Sequence, residues 1–199
     1  MIVVTTPSGQ IGAQVLDKVL DSDEHIRVVV RDPSRLEAKA RDRVEVVHGS
    51  HDDPDVVTKA FAGADTVFWV VPPNMRVQNV VDYYEDFTRP ASEAIKAQGV
   101  KRVVAVSSLG RESGEIAKRT GHLSAAFAMD DLLEATGVSY RATSDVTAAA
   151  TTLLLDDSWS GRGPAASCAS PSKSRPNGLV RPGSKYSREG GSSRDPFLG

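Results

Sequence analysis

The sequence is poor in cysteine and in long apolar runs, and it has no large excess of charge of either sign. Cys168 is the lone cysteine of the 199 residues, which excludes an internal disulfide and a multi-cysteine metal site. No apolar run approaches the roughly 20 residues that span a bilayer. The net charge of −2 offers no general surface for nucleic acid or an anionic membrane. Met1 leads into an apolar run without a secretion signal, so we expect a cytoplasmic protein with no nucleic-acid or membrane partner.

Short valine-rich runs recur through the first 142 residues and alternate with helical patterns. The runs are apolar on both faces, which is typical of strands buried in a parallel sheet. Repeated strand–helix units predict an α/β fold: a doubly wound, Rossmann-like parallel sheet in three αβα layers. The predicted strands cover residues 2–5, 26–30, 44–47, 66–71, 103–107 and 138–142.

The composition changes near the end of the chain. Residues 158–199 contain 10 Ser, 7 Gly and 5 Pro among 42 residues, so they hold too little apolar surface to offset the entropy of ordering. We predict a folded domain over 1–142 and a divergent, low-complexity tail over 143–199. Within that tail, 143–157 is a candidate helix without a clear partner, and the remainder is expected to be disordered or irregular.

The first twelve residues have the pattern of a phosphate-binding turn. An apolar strand leads through Gly9 and Gly12 into an amphipathic helix, and the N–H groups and dipole at such a helix start favour an anion. Gly9 would let the backbone approach a pyrophosphate, and Gly12 would let the helix pack closely on the strand. Thr6 replaces the first of the usual three glycines, which narrows the allowed backbone dihedrals. An ordinary strand-to-helix turn that contains glycine is the alternative.

Several longer motifs follow this turn in a recognisable order. Residues 28–36 read Val-Val-Val-Arg-Asp-Pro-Ser-Arg-Leu, residues 61–73 end in Val-Val-Pro-Pro, and residues 99–110 end in Val-Ser-Ser-Leu-Gly. With these motifs, residues 1–142 resemble the NmrA-like family of atypical short-chain dehydrogenases/reductases. The resemblance implies a Rossmann domain that binds NAD(P). It stops after residue 142, where such proteins continue into a substrate domain, so we expect a frame-shifted or truncated carboxyl terminus.

The resemblance also implies contacts to the cofactor. It places Arg31 beside the adenosine ribose, with Arg35 as a second cation, and this favours NADP over NAD because arginine pairs with a 2′-phosphate. A solvated strand end is the alternative for Arg31, while Asp32 is explained as a helix cap. At the adenine end, Ser50 replaces an acidic residue of the family, and Asp52 is either its substitute or a turn residue. The residues expected around the pyrophosphate are Thr6, Ser8, Gly9, Gln10, Ile11 and Gly12.

The nicotinamide side is predicted from the ends of the later strands. Val71, Pro72 and Pro73 follow the fourth predicted strand, and Ser107 ends the fifth. Ligands of such sheets bind at these carboxyl ends, so we expect the four residues to contact the cofactor. A plain strand-to-helix loop is the alternative for the proline pair.

The usual catalytic pattern of short-chain reductases is missing. Those enzymes use a Tyr with a Lys four residues on, and none of the four tyrosines has that lysine. Candidate polar neighbours of the nicotinamide are Ser107, Lys118 and His122, although a surface lysine and a helix-start histidine are the alternatives for the last two. His48 and His51 flank a glycine without a matching ligand cluster, so no metal site is expected.

Together, these features predict an NADPH-dependent oxidoreductase that acts on a small carbonyl or quinone-like acceptor. The cofactor would supply the hydride and the protein would position it. Two alternatives stay open: a regulator that senses NAD(P) and contacts a protein partner without turnover, and an inactive truncated fragment. The missing tyrosine–lysine pair fits the regulator.

Overall fold

The computed structural model describes residues 1–108, 121–144 and 148–163. Six parallel strands form one sheet in the order β3-β2-β1-β4-β5-β6. The strands are β1 (Ile2–Thr5), β2 (Ile26–Val30), β3 (Glu45–His48), β4 (Thr66–Trp69), β5 (Arg102–Val106) and β6 (Ser139–Thr143). The helices are α1 (Gln10–Val19), α2 (Ala38–Arg41), α3 (Pro54–Phe61), α4 (Val80–Gln98), α5 (Gly121–Glu134) and α6 (Ala148–Leu155). In the part of the chain that the model describes, no helix has both the length and the apolar character to cross a membrane.

The two faces of the sheet bury two separate apolar clusters, because successive strand residues point to opposite sides. In β1, Val3 belongs to one cluster and Val4 to the other. The first cluster is covered by α3, α4 and α5, with Phe61 among its fully buried members. The second is covered by α1 and α6, with Leu154 buried in it. The predicted three-layer, doubly wound sheet is therefore confirmed.

The strands follow the predicted apolar runs closely. β1 and β2 have the predicted bounds, and β3, β5 and β6 are each displaced by one residue. β4 ends at Trp69, two residues before the predicted end. The reason is that the Val70 N–H leaves the sheet ladder and donates to Thr5 Oγ1 at 3.2 Å. The chain thereby turns out of the sheet at the carboxyl end of β4 and begins a loop there.

The end of the described chain differs from the prediction. Thr143, the expected start of a helix, pairs with Val106 as the last residue of β6, and α6 begins only at Ala148. This helix has the partner that its sequence did not reveal, because its buried side chains pack in the cluster that α1 covers. Residues 158–163, predicted as part of a disordered tail, run beside β6. The rest of that predicted tail, 164–199, lies outside the described residues.

Trp159 anchors the segment that runs beside β6. Its Nε1 donates to the Leu153 carbonyl at 2.8 Å, and the Arg141 guanidinium lies 4.7 Å from the centre of its ring. Two residues later, the Gly161 carbonyl accepts from the Tyr140 N–H at 3.2 Å. The chain after α6 is thus held against the outer edge of the sheet by an aromatic side chain and by backbone hydrogen bonds.

Candidate functional site

A cleft of about 530 Å³ opens at the carboxyl ends of β1, β2 and β3 and beside the loop after β4. The chain runs from β1 outwards to β2 and β3, and later from β4 outwards in the other direction. The cleft therefore lies at the point where the order of the strands reverses, which is where open α/β sheets bind their ligands. Its walls include Thr6, Ser8, Gly9, Arg31, Arg35, Ser50, His51, Asp52, Pro72, Asn74 and Tyr83.

The turn after β1 has a left-handed residue at its first position. Thr6 has φ of +54°, and its carbonyl accepts from the Gly9 N–H at 3.0 Å. A β-branched residue adopts this conformation only under strain, whereas glycine adopts it freely. The positive φ of Thr6 therefore explains why glycine is expected at this position of the turn.

Gly12 allows α1 to begin directly over that turn. A Cβ on Gly12 would lie 2.2 Å from the Thr6 carbonyl oxygen, which leaves no room for any other residue. The N-cap of α1 is Gly9, which offers no side-chain cap in the described structure, so the first N–H groups of the helix keep their hydrogen-bonding capacity. Gln10, Ile11 and Gly12 carry those groups. This helix start can bind an anion such as a pyrophosphate.

Two arginines follow β2, and between them lies an aspartate that accepts hydrogen bonds from Ser34. Arg31 and Arg35 are both exposed and line the cleft. Asp32, between them, accepts from the Ser34 hydroxyl at 2.6 Å and from its N–H at 3.0 Å. These bonds from Ser34 lower the pKa of Asp32. The carboxylate caps the short 3-10 turn Pro33–Arg35, as expected, while the guanidinium groups remain available to a ligand.

The loop after β3 brings a buried histidine to the cleft. Gly49 has φ of +146°, and a Cβ there would lie 2.4 Å from Val56 Cγ2, so only glycine fits at this turn. His51 lies two residues on and is 7% exposed. Its Nε2 lies 2.9 Å from the Val70 carbonyl oxygen, and its ring meets Trp69 edge-on. Burial lowers the pKa of His51, so the ring is neutral near pH 7.

In the sequence, His51 stands out only as a candidate metal ligand. The described residues contain no group of three or more His, Cys, Asp or Glu side chains that could hold a metal ion. No sequence signal distinguishes a cleft histidine from a turn residue here, because its environment comes from β4 and α4.

Tyr83, on α4, also reaches the cleft and was not expected there. Its hydroxyl donates to the Pro72 carbonyl at 2.9 Å, which fixes the loop after β4. Burial raises the pKa of Tyr83. A catalytic tyrosine of a reductase needs a lowered pKa and a free proton, so Tyr83 is a positioning residue for the loop.

Ser107, the residue after β5, belongs to a hydrogen-bond network that engages its hydroxyl group. Its hydroxyl donates to Asp130 Oδ2 at 2.7 Å, and the Tyr140 hydroxyl donates to the other oxygen of the same carboxylate. Asp130 is almost fully buried on α5. Because the single hydroxyl hydrogen of Ser107 is engaged, its oxygen can accept a hydrogen bond from a ligand, and donation to a substrate oxygen would require breaking the Asp130 bond.

The structure brings some of the expected site residues together and separates others. Thr6, Ser8, Gly9, Arg31, Arg35 and Pro72 line one cleft. Val71 is buried in the loop after β4, and Pro73 is exposed in the same loop. His122 is exposed at the start of α5, and Lys118 lies outside the described residues.

A match to a protein-family model identifies the family of this chain. A family model described as NAD(P)H-binding matches residues 8–145, which is more than two thirds of the 199 residues. The chain belongs to this NAD(P)H-binding family. The cofactor class expected from the sequence is thereby confirmed. Gly9, the start of α1 and both arginines fall within the matched segment, and Thr6 lies just before it.

Relatives of this NAD(P)H-binding protein include reductases. Cinnamoyl-CoA reductase 1 of Oryza sativa subsp. japonica is 31% identical over 117 residues, which cover 55% of this chain and 35% of the reductase. The triphenylmethane reductase of Citrobacter sp. complexed with NADP(H) has a TM-score of 0.60 at 22% identity, over 71% of this chain and 47% of that enzyme. The NADPH-dependent quinone oxidoreductase of Escherichia coli complexed with NADPH has a TM-score of 0.66 at 18% identity, over 81% and 67%.

The likenesses to the solved structures establish the fold. The chain spans about a third of the rice reductase and about half of the Citrobacter enzyme, and both solved structures are below a quarter identical to it. The substrates in the names of those enzymes therefore describe those enzymes alone.

Proposed function

We propose that this chain binds NADPH in the cleft, as the nucleotide domain of an NmrA-like, atypical short-chain reductase. The observation that carries the proposal is the pair Arg31 and Arg35 at the cleft wall, next to an α1 start that keeps its N–H groups available. Asp32, the residue that could bind the ribose 2′-hydroxyl of NAD, accepts both bonds from Ser34 at Oδ1, which hold its carboxylate in the cap of the 3-10 turn. A 2′-phosphate at this turn therefore meets two cations against one carboxylate, so positive charge is in excess.

The residues along the cleft also follow the order of the chemical groups in a dinucleotide. The pyrophosphate would lie at the start of α1, the 2′-phosphate at Arg31, and the nicotinamide beyond β1 towards Pro72 and Ser107. When bound, the nicotinamide supplies the hydride. Pro72, held by Tyr83, would form a rigid wall beside it, and Ser107 would accept a hydrogen bond from it.

We infer that the hydride acceptor is a small carbonyl or quinone-like molecule. Support comes from the NmrA-like motif order and from the named activities of the Citrobacter and Escherichia coli neighbours. A regulator that binds NADPH without turnover is the second candidate, favoured by the engaged hydroxyl of Ser107 and by the absence of a Tyr–Lys pair in the sequence.

The cofactor proposal is tested by titrating NADPH and NADH while the melting temperature is followed, because a ligand of the folded state raises it. Arg31→Ala should weaken NADPH binding by about tenfold or more, through loss of a charge-assisted hydrogen bond, and leave NADH binding unchanged. Arg89→Ala, which removes an exposed arginine of α4 outside the cleft, is the matched control. Equal losses for both nucleotides would contradict the role of Arg31.

Turnover separates the two candidate functions. NADPH oxidation is followed with a panel of quinones and aldehydes. Oxidation coupled to reduction of a panel member supports the reductase, and NADPH binding without turnover supports the regulator. Neither binding nor turnover would identify an inactive fragment.

A further inference from the structure

The base of a bound dinucleotide would fall at the end of β3. In the sheet, β2 and β3 follow β1 at spacings of about 4.8 Å. With the pyrophosphate over β1 and the ribose beside Arg31 at the end of β2, the base reaches the loop after β3, which folds back over the cleft and brings His51 against Trp69 and Val70. The residues there are Ser50, His51 and Asp52, all of which line the cleft.

The hydrogen bond to Val70 fixes the chemistry of His51. A carbonyl oxygen only accepts, so the Nε2 that lies 2.9 Å from it must carry the hydrogen. In the neutral ring, Nδ1 then holds a lone pair. No residue in the described ranges bonds to Nδ1, and it is not among their sealed polar atoms without a partner, which are Arg27 Nε, Trp69 Nε1 and Thr88 Oγ1. Nδ1 is therefore reachable from the cleft.

The ring of His51 is held rigidly. Trp69 and Phe87 both meet it edge-on, with centroid distances of 5.2 and 4.7 Å. Together with the bond to Val70, these contacts leave the ring one orientation. A fixed acceptor loses little entropy when it binds a ligand, so it can discriminate between donors and acceptors on a base.

We propose that Nδ1 of His51 accepts a hydrogen bond from the exocyclic amine of adenine, which makes His51 a specificity-determining residue for the base of the nucleotide. The inference rests on the proposed function, because it needs an adenine dinucleotide in this cleft.

The experiment compares NADPH with its hypoxanthine analogue, in which a carbonyl replaces the amine. Dissociation constants are measured by titration of the full chain, and the ratio of the two cancels any general change in affinity. The wild type should bind NADPH about tenfold more tightly, because the analogue turns an oxygen towards the Nδ1 lone pair.

Two substitutions at His51 separate its two nitrogens. In His51→Gln, the amide N–H can still reach the Val70 carbonyl, but no acceptor stands at the Nδ1 position, so the wild-type preference for adenine should be lost and the two dissociation constants should become nearly equal. His51→Asn keeps an acceptor near Nδ1 and loses the Val70 bond, so most of the preference should remain. His48→Gln, at an exposed histidine outside the cleft, should behave as the wild type.

Three outcomes overturn the inference. Equal binding of both nucleotides by the wild type, or an undiminished preference in a folded His51→Gln protein, would show that Nδ1 does not contact the base. Loss of the preference in Asp52→Asn together with its retention in His51→Gln would assign the contact to that carboxylate. If neither nucleotide binds the wild type, the proposed function fails and the role of His51 fails with it.

Discussion

At the scale of single residues, the turn after β1 shows how a binding motif tolerates a departure from its pattern. Thr6 occupies the left-handed region, and such strain costs a non-glycine residue about 1–3 kcal/mol. The conformation persists because the turn is held by the Gly9 N–H and because α1 begins against it at Gly12. The favourable free energy of folding of the rest of the domain therefore offsets the cost of this strained turn.

Thr6→Gly should raise the free energy of unfolding by about 1 kcal/mol. The relief of strain exceeds the 0.4–1 kcal/mol or so that glycine adds to the entropy of the unfolded chain. Urea unfolding checks this through a higher midpoint at an unchanged slope. Thr6→Ser keeps a Cβ at positive φ and should show no such gain. A glycine variant no more stable than the serine variant would contradict the strain.

At the scale of elements, the amino ends of the central strands are joined by a carboxylate. Asp65, just before β4, accepts from the Met1 amino group at 2.7 Å and from Lys101 at 2.6 Å. The hydrogen bond from Lys101, followed by that from the amino group, lowers the pKa of Asp65 to about 2. The starts of β1, β4 and β5 thus meet at one charged group.

The low pKa gives this group a defined pH dependence. Its ordinary pKa is 3.8, so the stabilisation is present above that pH and is lost as the pH falls towards about 2. Lys101→Met should destabilise the protein slightly between about pH 5 and pH 7, because Asp65 is partly exposed, and the deficit should vanish in acid. Unfolding free energies across this range test it, with Lys96→Met on α4 as the control. A deficit that does not change with pH would contradict the pairing.

Local pattern was enough to predict most elements. The strands were predicted within two residues because each is a short valine-rich run buried on both faces. α6 was harder to place, since Ala, Thr and Leu side chains on all its faces give no periodicity. Its partner is α1, more than a hundred residues earlier, and that contact leaves no trace in a local window.

The residues of the candidate site also differ in how far the sequence alone could predict them. Gly9, Gly12 and Arg31 could be predicted because their roles follow from their position next to a strand end. His51, Tyr83 and the Asp130 network could not, because their chemistry depends on partners from distant elements.

At the scale of the whole molecule, both edges of the sheet are protected. β3 carries exposed Glu45 and His48, and Arg27 of the neighbouring strand pairs with Glu45 at 2.9 Å. At the other edge, Gly161 takes up a backbone donor of β6. An open strand edge is a template for pairing with another chain, so we expect residues 158–163 to oppose such pairing at β6.

Shortening the chain tests this protection. A protein that ends at Asp157 should aggregate on concentration, because the edge of β6 loses its backbone partner. A protein that ends at Gly163 keeps the contacts of Trp159 and Gly161 and should scatter light no more than the full chain. Equal scattering by the two shortened proteins would contradict the role of the segment.

The two tryptophans of the chain allow changes in the protein to be followed by intrinsic fluorescence. Trp69 is fully buried against His51, so its fluorescence should change when a nucleotide base binds at the proposed place beside that ring. Trp159 lies under Arg141 beside β6, so its emission should change when the contacts of residues 158–163 are lost. Trp159→Phe leaves Trp69 as a single probe of the cleft, and Trp69→Phe leaves Trp159 as a single probe of the sheet edge, so the two regions can be followed separately without any label.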